Sequence, residues 1–157
     1  FWRWALWKVF EQEQGGADGS TLESRAGIVS FITASSFLRG PGFVGMREHM
    51  RRHLDEIWIV DLGGDNRGGR KSENVFSIET PVAITLGVRY GARNLDKPAR
   101  VHYVTLADSS AATKRAVLSK LEGVDDKALN WSEAMAGWQD PFLPVADAKY
   151  LTWPALT

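Results

Sequence analysis

Three runs rich in Val and Ile break the polar background of the chain, at residues 27–33, 56–62 and 81–89. Each is apolar almost continuously and is bounded by Gly, Pro or charge, as strands are when both of their faces are covered. Between the first two, Met46, Met50 and Leu54 recur at helical spacing in a basic segment and predict a short amphipathic helix. A fourth run, Arg100–Leu106, alternates apolar and polar residues and predicts a strand nearer a sheet edge. Asp108 or Ser109 can cap a helix from about Ala111 to Leu121, with Gly123 placed to end it in the left-handed conformation. Residues 1–13 predict a first helix, closed by the polar turn Gln14–Ser20. Strands separated by helices predict an α/β fold, a buried sheet with helices packed on it.

The first ten residues are unusual for a chain end, with only Arg3 and Lys8 charged. A helix apolar nearly all round should be buried on more than one side. Chain ends are usually polar and frayed, so the segment predicts a piece of a larger protein that begins just inside a core helix. Toward the other end, Trp131, Trp138, Phe142 and Trp153 are interrupted by prolines and predict aromatic anchors on irregular backbone. The chain therefore divides into a main unit, residues 1–123, and an aromatic, Pro-rich connection, residues 124–157.

Bulk properties narrow the classes. At 157 residues and 44% hydrophobic, the chain suits one well-buried domain. Lys plus Arg and Asp plus Glu both number 19, so contact with nucleic acid or an anionic membrane needs a local basic patch. The absence of Cys excludes a disulfide framework, a thiol nucleophile and a thiolate metal site. No stretch approaches the roughly 18 apolar residues of a membrane span and no signal-peptide pattern is present, so a cytoplasmic protein is expected.

Several motifs bear on chemistry. Gly40-x-Gly-x-x-Gly45 follows a strand and opens a helix, and the next strand ends at Asp61, about where a dinucleotide-binding unit places its ribose-binding carboxylate. Six residues separate those glycines from the strand, and Pro41 removes a wanted N–H. Residues 60–67 imitate the glycine turn of an S-adenosylmethionine site, with Asp65 and Arg67 where glycines belong, and Gly64 to Gly69 nearly spells a P-loop. His49 and His53 lie four apart, which could present two imidazoles as metal ligands; a solvated basic face carrying Arg47, Arg51 and Arg52 is the plainer reading. Arg67, Arg70 and Lys71, supported by those helix arginines, form the one local concentration suited to phosphate.

Glu73-Asn74-Val75-Phe76 followed by Thr80–Leu86 resembles the segment of adenine-N6 DNA methyltransferases in which a Val-Phe pair lies shortly before a Pro-Val-Ala-Ile strand. The resemblance extends to Phe1–Ala5, Phe31–Thr33 with Ser36–Leu38, Gly45–His49 and Ile57–Leu62, and so covers nearly the whole chain. In order and spacing, these segments resemble the methyltransferase portion of type ISP or type IIG restriction-modification enzymes. The resemblance implies the C-terminal half of a catalytic domain with a three-layer Rossmann-like sheet, mostly parallel, in which Asp61 ends a parallel strand and the strand from Pro81 is antiparallel. It also implies S-adenosylmethionine as cofactor, bound mainly by an N-terminal half, double-stranded DNA as partner, and a bacterial restriction-modification or phage-defence setting. The family's Asn/Asp-Pro-Pro-Tyr loop and intact glycine turn are absent from this sequence. The chain alone is therefore expected to hold no catalytic residue, to be inactive, and to self-associate through a bared sheet edge and the aromatic face of residues 1–10.

The same resemblance implies that Phe76 packs against the target adenine. An enzyme that modifies a base must take it out of the stack and hold it against an apolar surface; a core aromatic is the alternative for Phe76. Arg67, Arg70 and Lys71 would then meet phosphates near the flipped nucleotide, and Glu73 and Asn74 would support the loop. Two rival readings stay open: a dinucleotide-binding oxidoreductase built on Gly40, Gly42, Gly45 and Asp61, and a non-enzymatic α/β interaction module docking through its tryptophan-rich N-terminal helix.

Overall fold

The computed structural model describes residues 1–12, 25–64, 72–92 and 95–145. Helix α1, Trp2–Leu6, runs on into a π-helical turn, Trp7–Glu11. Trp2, Leu6 and Phe10 recur every four residues and, with Ala5, form its buried face. Burial on more than one side is not what the structure shows: Phe1 is 96% exposed and Trp4 62%. The stripe at four-residue spacing seats the helix on the core, which leaves the intervening aromatics pointing outward.

The strands are β1 (Gly27–Ala34), β2 (Glu56–Gly63), β3 (Val82–Arg89), β4 (Arg100–Thr105) and β5 (Ser132–Glu133). They form a single mixed sheet in the order β1-β3-β2-β4-β5. Strand β3 is antiparallel to both neighbours, pairing Ile84 with Ile32 of β1 and with Val60 of β2, so β1 and β2 run in the same direction on either side of it. Strand β4 lies parallel to β2, and β5 is antiparallel to β4.

Alternation along the strands divides the core into two faces. Ile57, Ile59, Ala83 and Val101 pack under α1 and α2 (Val44–His53), where they meet Leu6, Phe10, Met50 and Leu54. Val60, Leu62, Val82 and Val104 point the other way, toward Leu129 and the apolar side of α3 (Ala111–Leu118). The result is an α/β sheet between two helical layers. No helix among the described residues is long and apolar enough to cross a membrane.

Two local expectations are corrected. The cap of α3 is Ser110, whose Oγ accepts from the Thr113 N–H at 3.1 Å, not Asp108 or Ser109. The helix also ends before Gly123, which does not adopt positive φ; the Lys120 N–H donates to the Val117 carbonyl at 3.1 Å and tightens the last turn, so no left-handed cap is required.

The basic face of α2 is solvated only at Arg52, which is exposed and paired with Glu48 at 2.8 Å. Arg47 and Arg51 are buried. Arg47 Nη1 donates to the Phe37 and Gly40 carbonyls at 3.0 and 2.9 Å. Arg51 donates through Nη2 to the Met135 carbonyl at 2.7 Å and through Nη1 to the Asp140 carbonyl at 2.5 Å, with its guanidinium 4.7 Å from the Phe142 ring centroid. Burial lowers the Arg51 pKa to about 10, against the opposing pull of Asp140. Backbone without helix or strand partners must find donors elsewhere, and these guanidinium groups supply them to residues 135–141. Phe142 follows that segment into the main core, and its N–H donates to the Leu38 carbonyl at 2.8 Å.

Strand β3 needs a small residue where α2 ends. A Cβ on Gly87 would lie 2.6 Å from Leu54 Cδ1, and Leu54 is wholly buried with no room to swing aside. Gly87→Ala should therefore lower stability by about 1–3 kcal/mol, read as a lower urea midpoint at an unchanged slope. An unchanged midpoint would show that Leu54 does not pack against Gly87.

Candidate functional site

The exits of β2 and β4 and the entry to β3 converge on one loop system. Strand β2 leaves the sheet through a bulge at Asp61/Gly63, and Gly63 and Gly64 then turn the chain at φ of 60° and 101°, conformations that suit glycine. The Gly64 N–H donates to Ser72 Oγ at 3.0 Å, and that hydroxyl donates to the Ala107 carbonyl at 2.5 Å, so one side chain ties the end of β2 to the end of β4.

Asn74, which is buried, closes the neck of the loop that follows. Its Nδ2 donates to the Thr80 carbonyl at 2.8 Å and its Oδ1 accepts from the Phe76 N–H at 2.8 Å. One amide thus spans residues 74–80. Within the span Ser77 adopts φ of 57°, the left-handed region that costs a non-glycine residue about 1–2 kcal/mol. Phe76 sits on this braced turn with 48% of its surface exposed, outside the core. A depression of about 450 Å³ lies beside it, lined by Glu73, Asn74, Ser77, Ile78, Glu79 and Arg115.

Helix α3 holds the other side of the loop. Lys114 is fully buried, and its Nζ donates to the Glu73 carbonyl at 2.6 Å and to Ser72 Oγ at 3.2 Å. Burial lowers the lysine's pKa, while Asp61, Glu73 and Asp108 act to raise it. Arg115 donates to the Val75 carbonyl at 2.7 Å, and the Glu73 carboxylate accepts from the Ala111 N–H at 2.8 Å. Sequence reasoning missed Lys114. The available signal was its place on the same helical face as Val117 and Leu118. Arg67, Arg70 and Lys71 lie outside the described residues.

The dinucleotide motif comes apart in the structure. Between β1 and Gly40 stands a 3₁₀ turn, Ser35–Leu38, and Pro41–Phe43 forms another where a helix N-terminus is needed. A Cβ on Gly42 or Gly45 would meet no atom of the chain within 4 Å, so neither glycine is needed for packing inside the protein. Asp61 is engaged inside the protein: Oδ1 accepts from the Gly63 N–H and Oδ2 from the Tyr103 hydroxyl, both at 2.9 Å. Burial and the Asp61 charge raise the Tyr103 pKa well above its ordinary value. The turn at Gly63 and Gly64 offers no cofactor cradle either, since a Cβ at these positions would strike Ala107 and Asn74.

No family model matches the chain, and no curated protein matches it in sequence. Solved structures do match. Over 69% of its length the chain is similar to 11% of DrdV in a DrdV–DNA complex, with a TM-score of 0.58 and 27% identity. A comparable match, 68% of this chain against 10% of the other at a TM-score of 0.58 and 22% identity, is to the type ISP restriction-modification enzyme LlaGI, as a nuclease-deletion mutant with a DNA substrate mimic. The ATP-dependent type ISP restriction-modification enzyme LlaBIII, bound to DNA, is similar over 89% of this chain and 10% of its own, with a TM-score of 0.56 and 19% identity. The chain thus spans about a tenth of the length of these proteins, and its fold is similar to a segment of the restriction-modification enzymes LlaGI and LlaBIII.

Proposed function

We propose that this chain is the target-base side of an S-adenosylmethionine-dependent DNA adenine-N6 methyltransferase, working within a longer restriction-modification or phage-defence polypeptide. The observation that carries the reading is Phe76: a half-exposed aromatic on a turn locked by Asn74, entering a buried antiparallel strand, in a fold shared with restriction-modification enzymes.

A flipped adenine loses its stacking partners and must be held while its amino group reacts. An aromatic ring already outside the core, on a neck fixed by two hydrogen bonds, replaces a lost stacking partner with little ordering cost. Arg67, Arg70 and Lys71, a few residues before this turn in the sequence, would contribute phosphate contacts, which add affinity and position the duplex without reading bases. Glu73, anchored on α3, and Asn74 set the angle of the turn. In this reading the cofactor is bound mainly by parts of the enzyme beyond this chain, which is supported by Gly63 and Gly64 facing protein atoms rather than an open cradle. The outer edge of β1, where Ile28 and Ile32 are exposed, and the aromatics Phe1 and Trp4 form the side on which those parts would seat.

In the enzyme that carries this chain, Phe76→Ala should lower kcat/KM for DNA methylation by about 10-fold or more, the scale set by base–aromatic stacking worth roughly 1–3 kcal/mol. The melting temperature should stay unchanged, since the ring is outside the core. Loss of folding together with activity would make Phe76 structural and remove the site. Asn74→Ala leaves the ring in place but frees the neck; a smaller kinetic loss is expected, with faster hydrogen exchange at the Phe76 amide. The 157-residue chain by itself should sediment as dimers or larger species, and a monomer at all concentrations would contradict the seating assigned to the β1 edge.

A further inference from the structure

The geometry points to a divalent-metal site, of the type suited to zinc, formed by Glu11, His49 and His53 and joining the end of the N-terminal helical segment to α2. The ligand atoms of these three residues all lie within 4.8 Å of one another. His53 Nε2 stands 3.3 Å from Glu11 Oε1 and His49 Nε2 stands 3.8 Å from the same oxygen. Two imidazole nitrogens therefore converge on one carboxylate oxygen from a single helical face, the i and i+4 arrangement that presents paired histidines to a metal.

The tautomer of His53 can be assigned. Its Nδ1 is 2.8 Å from the His49 carbonyl, and a carbonyl only accepts, so Nδ1 carries the proton. In the neutral ring Nε2 then holds its lone pair toward Glu11. That nitrogen and the carboxylate face each other directly, a contact that either a second proton on the ring or a bound cation would satisfy. His49 presents the same situation: its Nε2 is buried and has no hydrogen-bond partner among the described residues.

The arginines of α2 are engaged elsewhere, while Arg3 bears directly on the cluster through Glu11. Arg47 and Arg51 are turned into the core on main-chain carbonyls, and Arg52 is paired with Glu48 at 2.8 Å. Arg3 holds Glu11 through both oxygens, Nη1 to Oε1 at 2.8 Å and Nη2 to Oε2 at 3.0 Å. When Oε1 coordinates a metal, the Nη2 bond to Oε2 remains to orient the carboxylate, the role outer-shell partners play at metal sites. Bonds of about 2.0–2.2 Å in a tetrahedral site set neighbouring ligand atoms roughly 3.3–3.5 Å apart, so binding draws the cluster together and turns apart the two imidazoles, whose centroids lie 3.9 Å from each other. Two His and one carboxylate leave a fourth position for water. The metal would clamp the N-terminal segment, whose outer aromatic face is exposed, onto α2.

The test is a titration of the metal-free 157-residue chain with Co²⁺, followed by displacement with Zn²⁺. One equivalent of Co²⁺ should give the intense visible bands of a tetrahedral site, Zn²⁺ should abolish them, and Zn²⁺ should raise the melting temperature. Glu11→Gln and His53→Gln should each weaken binding by more than the roughly 10–100-fold typical of outer-shell changes, with unchanged circular dichroism, while Arg52→Gln should bind as the parent does. Absence of the bands in the unaltered chain, or their survival in both ligand variants, overturns the assignment. The unaltered chain decides the matter even where a variant fails to fold.

Discussion

The structure depends on the placement of one antiparallel strand between two that run the other way. Strand β3 hydrogen-bonds on both sides, to β1 and to β2, along nearly its whole length. Its alternation sends Ala83, Thr85 and Gly87 toward α1 and α2 and Val82, Ile84 and Leu86 toward the opposite face. A one-residue slip would reverse both sets, placing bulk against Leu54 and small residues against α3. The register is therefore fixed by packing on two faces at once. The loop entering β3 inherits that fixity, which allows a single amide, Asn74, to set the position of Phe76 from both ends of the turn.

A second layer of organisation comes from buried cations. Arg47 and Arg51 satisfy carbonyls of chain that has no ladder of its own, and Lys114 does the same for Ser72 and Glu73. Each long side chain contributes several donors. These contacts hold the irregular segments around the sheet: residues 135–142 on one face, the Phe76 loop on the other. The tryptophans contribute through ring geometry, Trp2 against Phe31 with centroids 5.1 Å apart and Trp58 edge-on to Trp131 at 5.0 Å.

Much of this was legible in the sequence and some was not, for identifiable reasons. The four longer strands and α2 announce themselves because apolar runs and helical spacing are local properties. The direction of the strand from Pro81 came from the resemblance and not from its composition. Strand β5 has two exposed residues and nothing apolar to mark it. The arginines of α2 read as a solvated face because their partners lie far along the chain, 84 residues away for the Arg51 bond to Met135. Phe76 left two readings open for a similar reason: its exposure follows from two hydrogen bonds of Asn74, not from any periodicity. Glu11 was invisible as a partner of His49 and His53 until the fold brought the end of the first helical segment onto α2.

The proposed role of this α/β unit in adenine methylation is tested most directly by the product on DNA. The enzyme that carries this chain would be incubated with S-adenosylmethionine and duplex DNA, and the DNA digested to nucleosides and analysed by mass spectrometry. N6-methyldeoxyadenosine is expected, and it should disappear when the cofactor is left out. DNA with no methylated nucleoside, or with methyl groups on cytosine alone, would contradict that role.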